Sequence, residues 1–205
     1  MKKIQIGALS GILFPILLLL FVGIATFYAG NDTTAQATYV ANMSEHTRAI
    51  MFSTGMGLLS VVLLLMHLEW LTGVVSKHAP FAAKIARSCG QIAAIGIAFT
   101  YGLILLATYG LEQANWPDQM VHTTGMLGST IGSVFYTGFG AFAGVIAYLG
   151  WKGIFPKWIA ALATLEVVIA VVATGVGAPG AAFMPTTAWL LINAVGMLFY
   201  ERKSS

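Results

Sequence analysis

Apolar residues run in six long blocks along this chain, at roughly 6–28, 49–74, 88–109, 124–149, 158–176 and 183–200. Polar residues, Gly and Pro collect in the intervals between them. Each block approaches the roughly 20 residues that an α-helix needs to cross the hydrocarbon core of a bilayer. The pattern predicts an all-α polytopic membrane protein, one six-transmembrane-helix bundle over residues 1–205. The connections, at 30–48, 76–87, 112–122, 150–157 and 177–180, are short, so consecutive helices are expected to be antiparallel neighbours. The first of them is polar, with a short helix expected over 35–43 and Asn-x-Ser/Thr triplets at Asn31 and Asn42. The segment 77–87 alternates cations with Phe81, Ala82 and Ile85, as a stretch lying on an anionic membrane surface would.

Lys2 and Lys3 ahead of the first block resemble the start of a signal peptide. The apolar stretch that follows is about 22 residues, longer than the 7–15 of a signal h-region, so an uncleaved first helix kinked at Pro15 is expected. An Ala-Gln-Ala run at Ala35 to Ala37 leaves cleavage open.

Composition points the same way. Hydrophobic residues make up 58% of the chain and charged residues 8%, against roughly 25% charged in a soluble domain. A chain of this size cannot hide so much apolar surface from water, and the excess has to face lipid. The net charge of +3 reflects a few cations in short loops, which suits membrane orientation rather than nucleic-acid binding. With the N-terminus inside, Lys2, Lys3, Lys77, Lys84, Arg87, Lys152, Lys157, Arg202 and Lys203 are cytoplasmic and only Arg48 is outside. That asymmetry predicts an N-in/C-in topology. Asp32, Glu45, Glu112 and Asp118 fall outside, and Trp70, Trp151, Trp158 and Tyr200 fall at predicted inner helix ends, as an aromatic belt requires. Three helices on each side of the central outer connection would make the halves inverted, although their sequences show no convincing similarity. The single cysteine, Cys89, rules out an intramolecular disulfide or a CxxC motif and reads as a packed small hydrophobe.

Few residues carry chemistry. Glu166 lies near the middle of the fifth block, where a carboxylate costs about 3 kcal/mol on insertion scales. It is expected to face the bundle, either as a proton- or substrate-binding acid or as a neutral acid hydrogen-bonded to a Thr, Ser, Tyr or Asn of a neighbouring helix, Asn193 and Tyr136 being candidates. His67 and Glu69 lie near the inner end of the second block, two residues apart, so they point to nearly opposite sides of a helix. His67 shares a face with Met56, Ser60 and Leu63 and reads as a packing residue or a ligand-binding one; Glu69 is close enough to the interface to reach water. Met43, His46, Met51, Met120, His122, Met126 and Met184 gather on the predicted outer side, and thioether with imidazole suits Cu(I). No tight Met or His repeat accompanies them, and the four histidines are not spaced as bis-His haem pairs. Copper and haem are therefore minor readings, and the expectation is that no cofactor is bound. The fourth block is rich in glycine and hydroxyls. Gly128-x-x-x-Gly132 and Gly140-x-x-x-Gly144 permit close helix contact, and Ser129, Thr130, Ser133 and Thr137 could alternatively line a cavity opposite Glu166. No Walker loop, nucleophile elbow or His-Glu-x-x-His motif is present.

Three features together carry a resemblance: the small-residue first helix from Gly7 to Gly30, the polar stretch from Asn31 through Ala41-Asn-Met-Ser-Glu-His-Thr-Arg48, and the inner turn Gly150-Trp-Lys-Gly-Ile-Phe-Pro-Lys-Trp-Ile-Ala160. In this order they resemble the domain-of-unknown-function family 4386 of six-span bacterial membrane proteins. Arg48 stands in a Thr-Arg-Ala-Ile setting where that family would be expected to show Phe-Arg-Leu. The resemblance implies six helices in a bacterial inner membrane, with no assigned activity and no catalytic residue. Taken together, the sequence reads as a binding or accessory subunit rather than an enzyme. Its partners would be the lipid bilayer and either another membrane protein or further copies of itself. A small proton-coupled transporter using Glu166, and a membrane redox, lipid-modifying or metal protein, are the alternatives.

Overall fold

The computed structural model describes residues 3–29, 35–177 and 179–204. Lys2, Asp32 and the Asn31 triplet lie outside the described residues. The described chain is helical throughout, without a strand: α1 (Lys3–Ala29), α2 (Gln36–Glu45), α3 (Thr47–Ser76), α4 (Pro80–Gln113), α5 (Asp118–Trp151), α6 (Lys157–Gly175), a 3-10 turn (Pro179–Ala182) and α7 (Phe183–Ser204). Among the described residues, α3, α4, α5 and α6 are long and apolar enough to cross a membrane, and shorter apolar helical stretches cover Ile6–Phe21 and Phe183–Gly196. Only 33–44% of the most apolar window of each long helix is buried within the chain, so most of that surface points outward. Phe52, Leu59, Phe99 and Val171 are among the exposed apolar side chains, a distribution that suits lipid rather than water.

Two connections are shorter than the hydropathy suggests. The segment expected as a loop over 76–87 is helical from Pro80 onward, which leaves 77–79 as the turn. Proline suits the first turn of a helix, where its missing N–H has no partner in any case. The break expected over 112–122 likewise contracts to 114–117, because α5 starts at Asp118, whose carboxylate complements the positive end of the helix. Polar residues end an apolar window without ending a helix, since continuing the helix satisfies the backbone on the way out of the apolar layer. The short helix expected over 35–43 is present as α2.

The long helices form a closed ring in chain order: α1 on α3, α3 on α4, α4 on α5, α5 on α6, α6 on α7, and α7 back on α1. Packing is densest between α4 and α5. There the backbones touch: a Cβ on Gly96 would lie 2.7 Å from the Phe135 nitrogen, and one on Gly138 2.8 Å from the Ala93 nitrogen. The two glycine pairs of α5 divide their work. Gly128 and Gly132 face Thr100 and Leu103 of α4, whereas Gly140 and Gly144 face Ala170 and Val167 of α6.

Aromatic side chains fill the middle of the ring. Phe139 and Phe142 of α5 are fully buried, and Trp189 of α7 stands edge-on to both, with centroids 5.4 and 6.5 Å away. Smaller elements pack at both ends of the helices. At one end, α2 packs Tyr39, Val40 and Met43 against Ile50, Ala107 and Val121, and the 3-10 turn rests on α5, α6 and α7. At the other end, the chain leaves α5 through a Schellman turn. Gly153 takes φ +82°, its N–H donates to Gly150 O at 2.9 Å, and Ile154 N–H donates to Leu149 O at 3.0 Å. That turn tucks Phe155 under the ring, edge-on to His78.

Candidate functional site

The buried face of α6 is a stripe of small residues, Ala160, Ala163, Ala170 and Ala173, at three- and four-residue spacing. Glu166 belongs to the same stripe, which turns its carboxyl into the ring; only 2% of the residue is exposed. Thr186 of α7, fully buried, donates its hydroxyl to Glu166 Oε1 at 2.5 Å. The partner is therefore neither Asn193 nor Tyr136. Tyr136 packs edge-on against its neighbour Phe135 on α5. Thr187 hydrogen-bonds back to Phe183 O within α7, so the two adjacent threonines have different roles.

Asn193 lies two turns beyond Thr186 on the buried face of α7. Both its Oδ1 and its Nδ2 are buried without a hydrogen-bond partner. An amide in that condition is a group to which a ligand or a water has something to offer. Glu166 and Thr186 put a buried polar pair across the seam between α6 and α7. This is also a thinly packed seam of the ring, because α7 rests more on α1 than on α6. Sequence reasoning singled out Glu166 and Asn193 and allowed a threonine partner without naming Thr186. The signal available was its seven-residue spacing from Asn193, which puts both on one helix face.

His67 is fully buried and stands apart from this seam. Its Nδ1 lies 3.1 Å from Gly7 O, a carbonyl that also accepts the Ser10 hydroxyl at 2.8 Å. A hydrogen bond there requires the proton on Nδ1, which leaves Nε2 as a buried acceptor; it has no partner. The imidazole lies directly on Gly11, where a Cβ would come within 2.1 Å of Nδ1, and Trp70 lies on Gly7 in the same way. His67 and Trp70 thus hold α3 against the glycine face of α1.

Glu69, two residues away, points outward and pairs with Arg87 of α4 through two hydrogen bonds of 2.7 and 2.6 Å. The two candidates do not share a site, as their spacing requires. The pair is 57% exposed at Arg87 and 47% at Glu69, a surface clamp between α3 and α4 rather than a binding centre.

The outer Met/His set is divided between two environments. Met43 is buried in the α2 cluster, and His122 stands edge-on to Tyr39 of α2 at 5.4 Å, with His46 half-buried at the α2–α3 junction. Met120 and Met126 point outward and are exposed. Among the described residues no group of three or more His, Cys, Asp or Glu is placed to hold a metal ion. Cys89 is half-buried on α4, and its carbonyl lies against Gly138.

No family model, curated protein or solved structure matches this chain.

Proposed function

We propose that this chain is a six-span protein of a bacterial inner membrane, with both termini in the cytoplasm, that serves as a binding or accessory subunit. Its polar centre is Glu166 with Thr186 and Asn193. The carrying observation is a carboxyl at the middle of α6 that is 2% exposed and hydrogen-bonded across the α6–α7 seam to Thr186. Intramembrane acids are rare because they are costly, and they mark binding functions more often than packing ones. The apolar stretches Ile6–Phe21 and Phe183–Gly196, which belong to longer helices at the two ends of the ring, support six spans in place of four. The nine-to-one distribution of Lys and Arg supports the orientation. The aromatic centre of the ring favours a binding protein over a conduit. The buried Glu166 carboxyl also supports one second reading, a small proton-coupled transporter that uses it.

Native mass spectrometry of gently solubilised wild type and Glu166→Gln, with an absorbance spectrum of each, tests the reading. A second polypeptide or a small molecule carried by the wild type is the expected result. Its loss in Glu166→Gln assigns binding to the polar centre; its retention assigns binding to the outer helix faces. A bare chain in both samples overturns the binding reading, and a haem or copper mass puts the redox reading in its place. For orientation, cysteines at Ser44 and Ser76 in a Cys89→Ser background should label with an impermeant reagent from outside and inside respectively.

A further inference from the structure

An apolar groove separates α6 from α7 near the start of α6, lined by Trp158, Leu191, Ile192, Val195, Gly196 and Phe199. It encloses about 430 Å³, within the range of about 300–1,000 Å³ for ligand clefts, and opens along one side. Its origin is local. The Trp158 indole lies on Gly196, where a Cβ would come within 2.2 Å of the ring, so the large side chain of one helix occupies the place of the missing one on the other. The remaining wall, Ile192, Val195 and Phe199, recurs at i, i+3 and i+7 on an outward face of α7 and is exposed.

We propose that this groove is a specific site for an anionic membrane phospholipid, with one acyl chain in the groove and the headgroup phosphate against the cations at its end. The inference rests on the reading that α6 and α7 cross the membrane with Lys157 at the cytoplasmic face. Two observations select this occupant. The lining is entirely apolar and lies between two apolar helices, so the neighbour it meets in a bilayer is hydrocarbon. The charge at this end is complementary to a phosphate: Lys157 adjoins Trp158 and is exposed, and Lys152 is exposed at the end of α5. Basic ends of clefts between spanning helices on the cytoplasmic side are where anionic headgroups bind. Trp158 supplies the amphipathic ring that sits at headgroup depth.

The test reconstitutes the full chain in nanodiscs of equal phosphatidylglycerol and phosphatidylethanolamine and counts the lipids retained on the ejected protein by native mass spectrometry. Wild type should retain phosphatidylglycerol preferentially. Lys152→Gln with Lys157→Gln, both at exposed positions, should reduce that preference by about five-fold per lysine. Val195→Trp, which fills the groove, should lower retention of both lipids without changing the melting temperature. Equal retention of the two lipids by wild type, or a preference unchanged in the double lysine variant, overturns the proposal. A dimer abolished by Val195→Trp also overturns it and makes the groove an interface between copies. Release of the chain from membranes by alkaline carbonate would instead sink the membrane reading on which the proposal rests.

Discussion

Replacing Thr186 by Val removes one hydroxyl and nearly nothing else, which makes it the sharpest probe of the polar centre. Thr186 is fully buried and Glu166 is 2% exposed, so water cannot replace the lost donor. In soluble proteins a buried polar group left unsatisfied costs about 1–3 kcal/mol. Within membranes the side-chain hydrogen bonds measured by double-mutant cycles average about 0.6 kcal/mol and reach about 1.7 kcal/mol, because the unfolded chain in lipid also finds partners. The burial of both ends places this pair in the upper part of that range, at about 1–1.7 kcal/mol of coupling. The assay is a cycle of Thr186→Val, Glu166→Leu and the double variant, each unfolded reversibly with SDS in mixed micelles and followed by tryptophan fluorescence. Each single change should destabilise, and the double change should cost less than the sum, because removing both partners leaves neither polar group stranded. Independent sites add to within about 0.3–0.5 kcal/mol. A coupling energy inside that band would mean that Glu166 is satisfied by something other than Thr186, and the polar centre as described would fall.

The glycines of α4 and α5 give opposite predictions for one substitution. Gly138→Ala would put a methyl 2.8 Å from the Ala93 nitrogen and 3.0 Å from Cys89 O, backbone atoms that cannot move aside. Overpacking of about 1–3 kcal/mol should outweigh the gain in helix propensity of about 1 kcal/mol, and the melting temperature should fall. Gly102→Ala meets nothing within 4 Å, so the propensity gain should stand and the melting temperature should hold or rise; the reverse order would refute the α4–α5 packing. Gly11→Ala should push the imidazole of His67 off Gly7 O and loosen α1, read as faster proteolysis between α1 and α3; protection equal to wild type would count against the contact. Glu69→Gln should cost only about 0–1 kcal/mol in the same SDS titration, since the pair with Arg87 is half exposed, and a loss above about 2 kcal/mol would contradict a surface clamp.

Sequence alone determined the helical elements. Six apolar blocks returned as helices, four of which (α1, α3, α4 and α5) extend past the hydropathy windows at both ends, because hydropathy reports where apolar side chains stop and the backbone hydrogen-bond ladder continues beyond them. The inward aim of Glu166 was also legible, since a mid-block carboxyl has no tolerable outward position. So was the separation of His67 from Glu69, which follows from helical periodicity. The tertiary structure decided everything that depends on which helices become neighbours. A single chain carries no record of Thr186 meeting Glu166, or of Gly7 and Gly11 seating Trp70 and His67. It also does not show that the glycine pairs of α5 are occupied within the fold, one against α4 and the other against α6. Apolar helices are interchangeable by composition, and their partners are chosen by small steric details (a missing Cβ, one hydroxyl in register) that acquire meaning only when two surfaces meet.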